Sequence, residues 1–448
     1  MDFSPQQAIL ELGPALYDPV VPADFPQTIL RFRNDRAAVE IGLDGLSDAD
    51  WIRHFGRFRP LPGSLEQPLA LRYHGHQFRV YNPEIGDGRG FLFAQMLDDA
   101  GRLMDLGTKG SGQTPYSRFG DGRLTLKGGV REILATEMLE ALGVRTSRSL
   151  SLIETGESLH RGDEPSPTRS AVLVRLSHSH IRIGAFQRAA YHHDDESLRR
   201  LTDYVLRNLY RETPGEAPAI QLLDQAVART ARLAGQYMAA GFVHGVLNSD
   251  NINLTGESFD YGPWRFAPTW DVAFTAAYFD QNGLYAFGRQ PEAIHWDVMQ
   301  LAASLRLIAE SGPLIETLET FGDRYQAGVI DALLWRLGVK PLDGASDLAL
   351  VQALERGLRE SQVPLDRFFH DHFGGRPPEG PGFEELRNRL QPYSARKDRD
   401  HPYWSDARPC SMLIDEVEAI WSAIDERDDW APLHAKVAAI RRLGEALA

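Results

Sequence analysis

A polar stretch that follows a long apolar segment constrains the fold of this chain more than any other feature. Residues 219–240 carry apolar side chains at helical spacing and run directly into Gly241-Phe242-Val243-His244. Beyond them lie Asn251 and then Asp260-Tyr261-Gly262. Polar residues in this position either cap the backbone of a turn after a buried helix or form a site for charged groups.

The spacing of these residues is similar to that of a protein-kinase catalytic loop. That loop has the pattern His-x-Asp-x-x-x-x-Asn and is followed by Asp-Phe-Gly; the first Asp accepts a proton, and the Asn and second Asp hold metal ions. Counted from His244, the metal positions fall on Asn251 and Asp260, but the proton-acceptor position falls on Val246. The pattern therefore predicts two metal ligands, with Asp250 as the nearest carboxylate able to replace the missing base.

Two glycine-arginine loops flank a single lysine in the first third of the chain. Gly86-Asp87-Gly88-Arg89 precedes an apolar run, a turn and a predicted strand over 103–109 that ends in Lys109. The same tetrapeptide recurs as Gly120-Asp121-Gly122-Arg123. Glycines let backbone N–H groups approach phosphate closely, and arginine adds positive charge. One such loop is also a common hairpin turn, but the pair around Lys109 favours an anion pocket.

An acidic partner for Lys109 is expected on the next helix, because a kinase pairs its strand lysine with a helical glutamate. Residues 130–142 have the apolar period of a helix that ends at Gly143. Glu132 and Glu137 are both candidates. Glu132 is preferred because it lies nearer the second glycine loop, although a glutamate in a first helical turn also interacts favourably with the helix dipole.

Two arginines on either side of one loop, Arg175 and Arg182, suit phosphate oxygens because guanidinium groups bind them in a bidentate manner. Taken alone, the same pair is also typical of two exposed surface arginines. The pairs His74-Gly75-His76 and His178-Ser179-His180 have no third ligand at metal-binding spacing. We expect those histidines to make turn or hydrogen-bonding contacts.

Composition narrows the class of protein. The net charge of −14 disfavours a nucleic-acid partner but leaves room for a local basic pocket that binds a nucleotide. The single cysteine, Cys410, excludes an internal disulfide and a cysteine-rich metal site. The start of the sequence is not that of a signal peptide, and no apolar run approaches the ~20 residues of a membrane helix. We therefore expect a cytoplasmic protein without a membrane partner.

The coarse pattern predicts an α+β, protein-kinase-like fold with two lobes. Residues 1–70 are rich in proline and are expected to wrap around the first lobe. Residues 71–185 form a strand-rich amino-terminal lobe with the glycine loops, and 186–448 form a helical carboxyl-terminal lobe with the catalytic and metal-binding loop. One helical segment is expected over 412–447.

A set of short motifs in a fixed order makes the sequence resemble the selenoprotein O family over residues 71–310. The motifs include Gly-His-Gln-Phe from Gly75, Thr-Pro-Tyr-Ser-Arg from Thr114, Ser-His-Ile-Arg from Ser179 and Gly-Phe-Val-His-Gly-Val from Gly241, together with the two Gly-Asp-Gly-Arg loops. The resemblance implies a pseudokinase fold that binds ATP in a flipped orientation. It also implies transfer of AMP to Ser, Thr or Tyr hydroxyls of protein substrates, with release of pyrophosphate.

The resemblance also implies roles for individual residues. Asp250 would accept the proton, Asn251 and Asp260 would hold Mg²⁺ or Mn²⁺, and Lys109 and Glu132 would form an ion pair. The remaining residues would line the nucleotide: Gly86, Gly88, Arg89, Asp121, Gly122, Arg175 and Arg182.

The sequence departs from the family at several points. Arg79 follows the Gly-His-Gln-Phe motif where the family usually has glycine, and Thr108 precedes Lys109 where the family often has leucine. Ser249 replaces the usual threonine before Asp250, and Cys410 is far from the end at which many members carry a redox-active cysteine or selenocysteine.

Two alternatives to AMP transfer stay open at this point. They are a conventional ATP-dependent protein kinase and a catalytically inactive nucleotide-binding scaffold.

Overall fold

An antiparallel sheet organises the first half of the protein. The computed structural model describes residues 2–162 and 164–448. The strands of these residues are β1 Ser4–Gln6, β2 Tyr17–Pro19, β3 Ile29–Arg33, β4 Leu69–Leu71, β5 Gly75–Gln77, β6 Val80–Asn82, β7 Leu92–Leu97, β8 Leu103–Lys109, β9 Leu124–Thr125, β10 Arg148–Leu159, β11 Thr168–Ser177, β12 Phe242–Val243 and β13 Arg265–Phe266.

The order of the main sheet within the described residues is β2-β4-β7-β8-β11-β10-β3, with β1 paired to β7 and β9 paired to β11. Every pairing is antiparallel. Strand β8 is central and fully buried. Its register with β11 sets Lys109 opposite Leu173 and Gly107 opposite Arg175, so the lysine and the arginine lie on neighbouring strands at the same end of the sheet.

Helices pack against both faces of the sheet and make up most of the second half of the chain. Their bounds are α1 Asp35–Glu40, α2 Asp48–Phe55, α3 Leu126–Ala141, α4 Ile183–Tyr191, α5 Asp195–Tyr204, α6 Pro218–Ala240, α7 Gln290–Leu305, α8 Ser311–Glu319, α9 Phe321–Leu337, α10 Gly344–Ser361, α11 Leu365–His372, α12 Glu384–Leu390, α13 Ile414–Arg427 and α14 Ala431–Leu447. Helix α5 continues into a π-helical segment, Val205–Tyr210, which ends at Arg211 in the left-handed conformation.

Helix α3 packs between the sheet and the carboxyl-terminal helices. The Thr125 hydroxyl caps its amino end by accepting a hydrogen bond from Gly128 N at 3.1 Å. On its far side, Arg441 of α14 donates to both carboxylate oxygens of Glu137, at 2.8 and 2.6 Å, and to Asn34 Oδ1 at 3.1 Å. Glu137 therefore serves the packing of α14, and its carboxylate is bound by an arginine rather than by Lys109.

Several predicted bounds differ from the structure. Helix α3 begins at Leu126 rather than at 130, which places Glu132 in the second turn instead of the first. The single helical segment expected over 412–447 is two helices, α13 and α14, because Asp428 adopts a left-handed conformation with φ of 50°. Strand β10 was not predicted.

The first 70 residues contribute strands to the main sheet. Strand β1 pairs with β7, β2 pairs with β4, and β3 pairs with β10. The division of the chain at 70 and at 185 stays a prediction. Among the described residues, 2–162 and 164–448, no helix has the length and apolar character needed to cross a membrane.

Candidate functional site

A cavity of about 740 Å³ lies at the end of the sheet where β8 ends. This volume is within the range of small-molecule sites. All but two of the predicted site residues line it, the exceptions being Glu132 and Asn251. The lining members are Gly86, Gly88, Arg89, Lys109, Asp121, Gly122, Arg175, Arg182, Asp250 and Asp260.

The two glycine loops, which both line this cavity, each lie against the loop between them, residues 112–117. Gly86 lies under the ring of Tyr116, and a Cβ at this position would be 2.5 Å from the ring. Gly122 has φ of +71° and would place a Cβ 2.2 Å from the backbone of Gly112, so only glycine fits there. Ser117 donates a hydrogen bond to the Gly88 carbonyl. The intervening loop thus joins the two glycine loops into one wall.

A buried ion network forms the floor of the cavity. Lys109 Nζ is 2.7 Å from Glu132 Oε2 and 3.0 Å from Asp260 Oδ1. Arg175 Nη1 is 3.4 Å from Glu132 and 3.2 Å from Asp260, and Arg182 Nη1 is 3.5 Å from Asp260 Oδ2. Glu132 is fully buried and reaches the cavity only through the lysine and the arginine. The network fixes all three cations at the cavity surface.

The electrostatics of Asp260 follow from this network. Burial alone would raise the pKa of its carboxyl group, but Lys109, Arg175 and Arg182 lower that pKa well below the usual range. Its side chain keeps 23% of its surface exposed toward the cavity. Asp260 is therefore an anion at any physiological pH, and it is held in place by three cations.

Asp250 lies in a drier environment than Asp260. Its side chain is buried, and its Oδ1 atom has no hydrogen-bond partner within the described part of the chain. Burial raises the pKa of Asp250 to about 6, although the positive charge of Arg182 opposes the rise. Arg182 Nη1 also donates to the Asp250 carbonyl oxygen at 2.9 Å. The structure thus presents a carboxylate oxygen without a partner at the cavity wall.

The loop that carries Asp250 is fixed from several sides. His244 is fully buried, and its ring nitrogen Nε2 lies 3.0 Å from the Phe259 carbonyl oxygen, directly before Asp260. Asn251 does not line the cavity, and its Nδ2 donates to the Val246 carbonyl at 2.9 Å. The amide nitrogen of Asn251 is thereby engaged, and Oδ1 is the atom of this side chain that could bind a cation.

The Gly-His-Gln-Phe segment has a structural role that sequence reasoning did not assign. His76 N donates to Ser249 Oγ at 2.8 Å, and Phe78 N donates to Asn248 Oδ1 at 3.0 Å. A Cβ on Gly75 would lie 2.9 Å from the Asp250 Cβ. Strand β5 therefore packs directly on the loop, and only a residue without a side chain allows this close approach.

Positive charge exceeds negative charge around the cavity. Seven of its lining residues are Lys or Arg, against four Asp, although the whole chain carries a net charge of −14. Arg89 and Arg118 are exposed and form no ion pair within the described residues. Arg118 and Asp87 were not predicted to be site residues, although both belong to motifs of the sequence. The Oδ1 atom of Asp87 lies 3.4 Å from Arg182. The excess of cations suits a polyanion such as a triphosphate.

Asp121 is placed differently from the other predicted residues. It is exposed, and its carboxylate accepts bonds from Arg161 at 2.8 and 3.1 Å and from Arg123 N at 2.9 Å. Burial would raise the pKa of Asp121, but the bonds from Arg161 and from Arg123 N lower it. Its carboxylate thus holds the side chain of Arg161 and the backbone of Arg123, whose guanidinium is bound by Glu157.

The donor set fits a hard divalent cation. The amide oxygen of Asn251 and the exposed edge of Asp260 are oxygen ligands of the kind that Mg²⁺ and Mn²⁺ prefer. Within residues 2–162 and 164–448, no group of three or more His, Cys, Asp or Glu could hold a metal ion by itself. Mg²⁺ is usually bound by one or two carboxylates together with substrate phosphates.

Comparison with known proteins adds to this geometry. The model of the family described as "Protein adenylyltransferase SelO" matches residues 1–373. The chain belongs to the SelO family. Similar proteins named "Protein nucleotidyltransferase YdiU" include those of Synechocystis sp. (42% identical over 464 residues, 96% of each chain) and Gloeobacter violaceus (42% over 472 residues, 99% of this chain and 95% of the relative). The namesake of Synechococcus elongatus is 50% identical over 339 residues, 74% of this chain and 68% of the relative.

The SelO family and the relatives named above are protein nucleotidyltransferases, so we assign the chain to this class of enzyme. None of these matches supports the kinase alternative. The matched span includes both glycine loops, Lys109, Asp250 and Asp260. The role of each of these residues in this chain stays a prediction.

Cys410 is predicted to react slowly, which bears on redox control. Burial raises the pKa of its thiol to about 11 from an ordinary value of 9.0. At neutral pH this lowers the thiolate fraction about a hundredfold, and only the thiolate is nucleophilic. We expect native protein to be alkylated by iodoacetamide at least about tenfold more slowly than the unfolded chain, as measured by mass spectrometry over time. Equal rates would show that the thiol is accessible and activated.

Proposed function

We propose that this protein transfers AMP from ATP to Ser, Thr or Tyr hydroxyl groups of protein substrates, with release of pyrophosphate. The observation that carries the proposal is the buried carboxylate of Asp250 at the wall of a basic cavity. In the sequence, Val246 stands at the position of the usual kinase base. The SelO family match supports the same class of reaction.

In this proposal, Asp250 accepts the proton of the attacking hydroxyl. A base is most effective when its pKa lies near the working pH, and burial raises the pKa of Asp250 to about 6. The hydroxyl oxygen forms a bond to the α-phosphorus as the bond from that phosphorus to the bridging oxygen breaks. Lys109, Arg175 and the unpaired Arg89 stabilise the negative charge that develops on the leaving pyrophosphate.

A divalent cation belongs to the proposal. Asn251 and Asp260 would hold Mg²⁺ or Mn²⁺, which when bound would neutralise phosphate charge. Asp250 lies beside Asn251 in the same loop, so one short segment positions both the base and a metal ligand.

We also infer a kinase-like arrangement of two lobes, with residues 71–185 and 186–448 on either side of the cavity and 1–70 wrapped on the first lobe. The concentration of the main-sheet strands before residue 178 supports this division. The absence of a membrane-crossing helix from the described residues is compatible with the cytoplasmic location we propose.

The test of the reaction compares the two ends of ATP. The protein is incubated with Mg²⁺ or Mn²⁺ and with ATP labelled at either the α- or the γ-phosphate, in the presence of a mixed protein acceptor. Transfer of α-label and a mass increase of one AMP unit are expected on the modified chain. Transfer of γ-label with a phosphate-sized mass increase would restore the kinase alternative, and the absence of both labels would favour an inactive scaffold.

Removal of cationic side chains from the cavity is expected to weaken ATP binding. Lys109→Ala and the double change Arg175→Ala with Arg182→Ala each remove charge-assisted bonds worth ~1.5–3 kcal/mol apiece, which corresponds to about tenfold or more in affinity. Calorimetry with ATP and metal measures the loss. Lys340→Ala is the matched control, because Lys340 is exposed and lies outside the cavity. Unchanged affinity and turnover in the cavity variants would remove these residues from phosphate binding.

A further inference from the structure

A second cavity, of about 520 Å³, lies at the opposite end of β8 from Lys109. It is enclosed by the first residues of β8 and β10, the segment after β11, the end of the π-helical segment and α6. Three of its arginines, Arg145, Arg211 and Arg229, form no ion pair within the described residues. A cluster of guanidinium groups without acidic partners is unusual in a chain with a net charge of −14.

Within the described residues, none of the carboxylates of this cavity forms an ion pair with those three arginines. Glu40 is engaged by Arg148 in an ion pair. Glu257 accepts hydrogen bonds from the Ser177 hydroxyl and, at 2.8 Å, from the His178 backbone. The wall holds five arginines against three glutamates, which are Arg102, Arg145, Arg148, Arg211 and Arg229 against Glu40, Glu140 and Glu257.

Several polar atoms of the wall lack partners. Arg229 Nε is buried without a hydrogen bond, while the Arg229 guanidinium lies 4.4 Å above the ring of Tyr210. The Nε2 atom of His178 is also buried without a partner. Burial, together with the charges of Arg102 and Arg229, lowers the pKa of His178 to about 4, so this ring is neutral at physiological pH. Each of these atoms can accept or donate a further hydrogen bond, which a ligand in the cavity could supply.

We propose that this cavity binds a small anion with a phosphate group that carries at least two negative charges. Guanidinium groups match phosphate oxygens in bidentate geometry, and the volume lies within the range of small-molecule sites. Met104, Val144 and Leu209 give part of the wall an apolar surface that suits an organic portion of the ligand. An inorganic polyphosphate and a phosphorylated organic molecule share this chemistry.

Two exposed arginines allow a test that spares the core. Arg145 and Arg211 are exposed, so the double variant Arg145→Gln, Arg211→Gln leaves the partly buried Arg229 and its contact with Tyr210 in place. The matched control is Arg199→Gln with Arg427→Gln, which removes the same charge from side chains that are 61% and 60% exposed elsewhere.

The probes are tripolyphosphate and ribose 5-phosphate, titrated separately into the full chain by calorimetry at low salt. We expect the wild type and the control to bind two equivalents of at least one probe, because the nucleotide cavity takes the other equivalent. The double variant is expected to bind the second equivalent at least about tenfold more weakly. If the double variant loses the second equivalent of tripolyphosphate, the ligand is an inorganic polyphosphate. If it loses the second equivalent of ribose 5-phosphate, the ligand is a phosphorylated organic molecule. A single equivalent of both probes in the wild type, or equal titrations of the double variant and its control, would overturn the proposal.

Discussion

Asp250→Asn is expected to lower the rate of AMP transfer by about 10²–10⁴-fold while the affinity for ATP changes little. A positioned general base contributes a factor of this size, and Val246 cannot supply it. Asparagine keeps the shape of the side chain and removes the proton acceptor. Single-turnover transfer of α-label gives the rate, and calorimetry with ATP and metal gives the affinity.

A variant of a second carboxylate in the same cavity is the control that distinguishes the loss of a general base from the loss of a negative charge. Asp87 lines the cavity, and its Oδ1 lies 3.4 Å from Arg182. Asp87→Asn removes one negative charge without touching the loop of Asp250, so a smaller fall in rate is expected. Wild-type rates in Asp250→Asn would exclude Asp250 as the base, and equal losses in both variants would assign the effect to charge alone.

Asp260→Asn is expected to reduce transfer by about a hundredfold or more and to lower the melting temperature. The carboxylate compensates Lys109, Arg175 and Arg182, and breaking a buried ion pair leaves an uncompensated charge. Stabilisation of transition-state charge by a metal ion amounts to several kcal/mol, and each ~1.4 kcal/mol is a factor of ten in rate. Transfer assays and thermal unfolding measure the two effects.

The dependence of ATP binding on metal is expected to distinguish Asp260 from Glu132, the other carboxylate of the ion network. In the wild type, excess chelator is expected to weaken ATP binding, whereas in Asp260→Asn it is expected to change the affinity little. Glu132→Gln is the matched control, since Glu132 contacts the same lysine at 2.7 Å but does not line the cavity. That variant is expected to keep its response to chelator. Full activity of Asp260→Asn, or of wild type in chelator, would contradict the metal assignment.

Local sequence signals were sufficient for the central strand but not for the start of α3. The turn at Asp98 and Gly101 precedes an apolar run that ends in a lysine, and the predicted strand 103–109 coincides with β8. Helix α3 begins four residues before its predicted start. The prediction missed its first turn because that turn contains Gly128 and Gly129, and glycine has a low helix propensity. The cap formed by Thr125 was the available signal.

The site required information that no local pattern contains. Lys109 contacts Glu132, whereas Glu137 is bound by Arg441, 304 residues further along the chain, a contact that no local pattern indicated. Likewise, the contact of Gly75 with Asp250 depends on how strand β5 packs against a distant loop. Residue types and spacing indicated the chemistry of the cavity, whereas long-range packing decided its geometry.

The hydrogen bonds of Arg441 affect the order in which parts of the structure can form while the chain is being synthesised. They join α14 to Glu137 and Asn34, which precede it by 304 and 407 residues. Contacts between such distant residues form late, because a long loop must close first. The glycine loops and Lys109 leave the ribosome far earlier than residue 441. A nascent chain therefore holds Glu132 on a helix whose outer face is still uncovered, and that face is closed only when translation has passed α14.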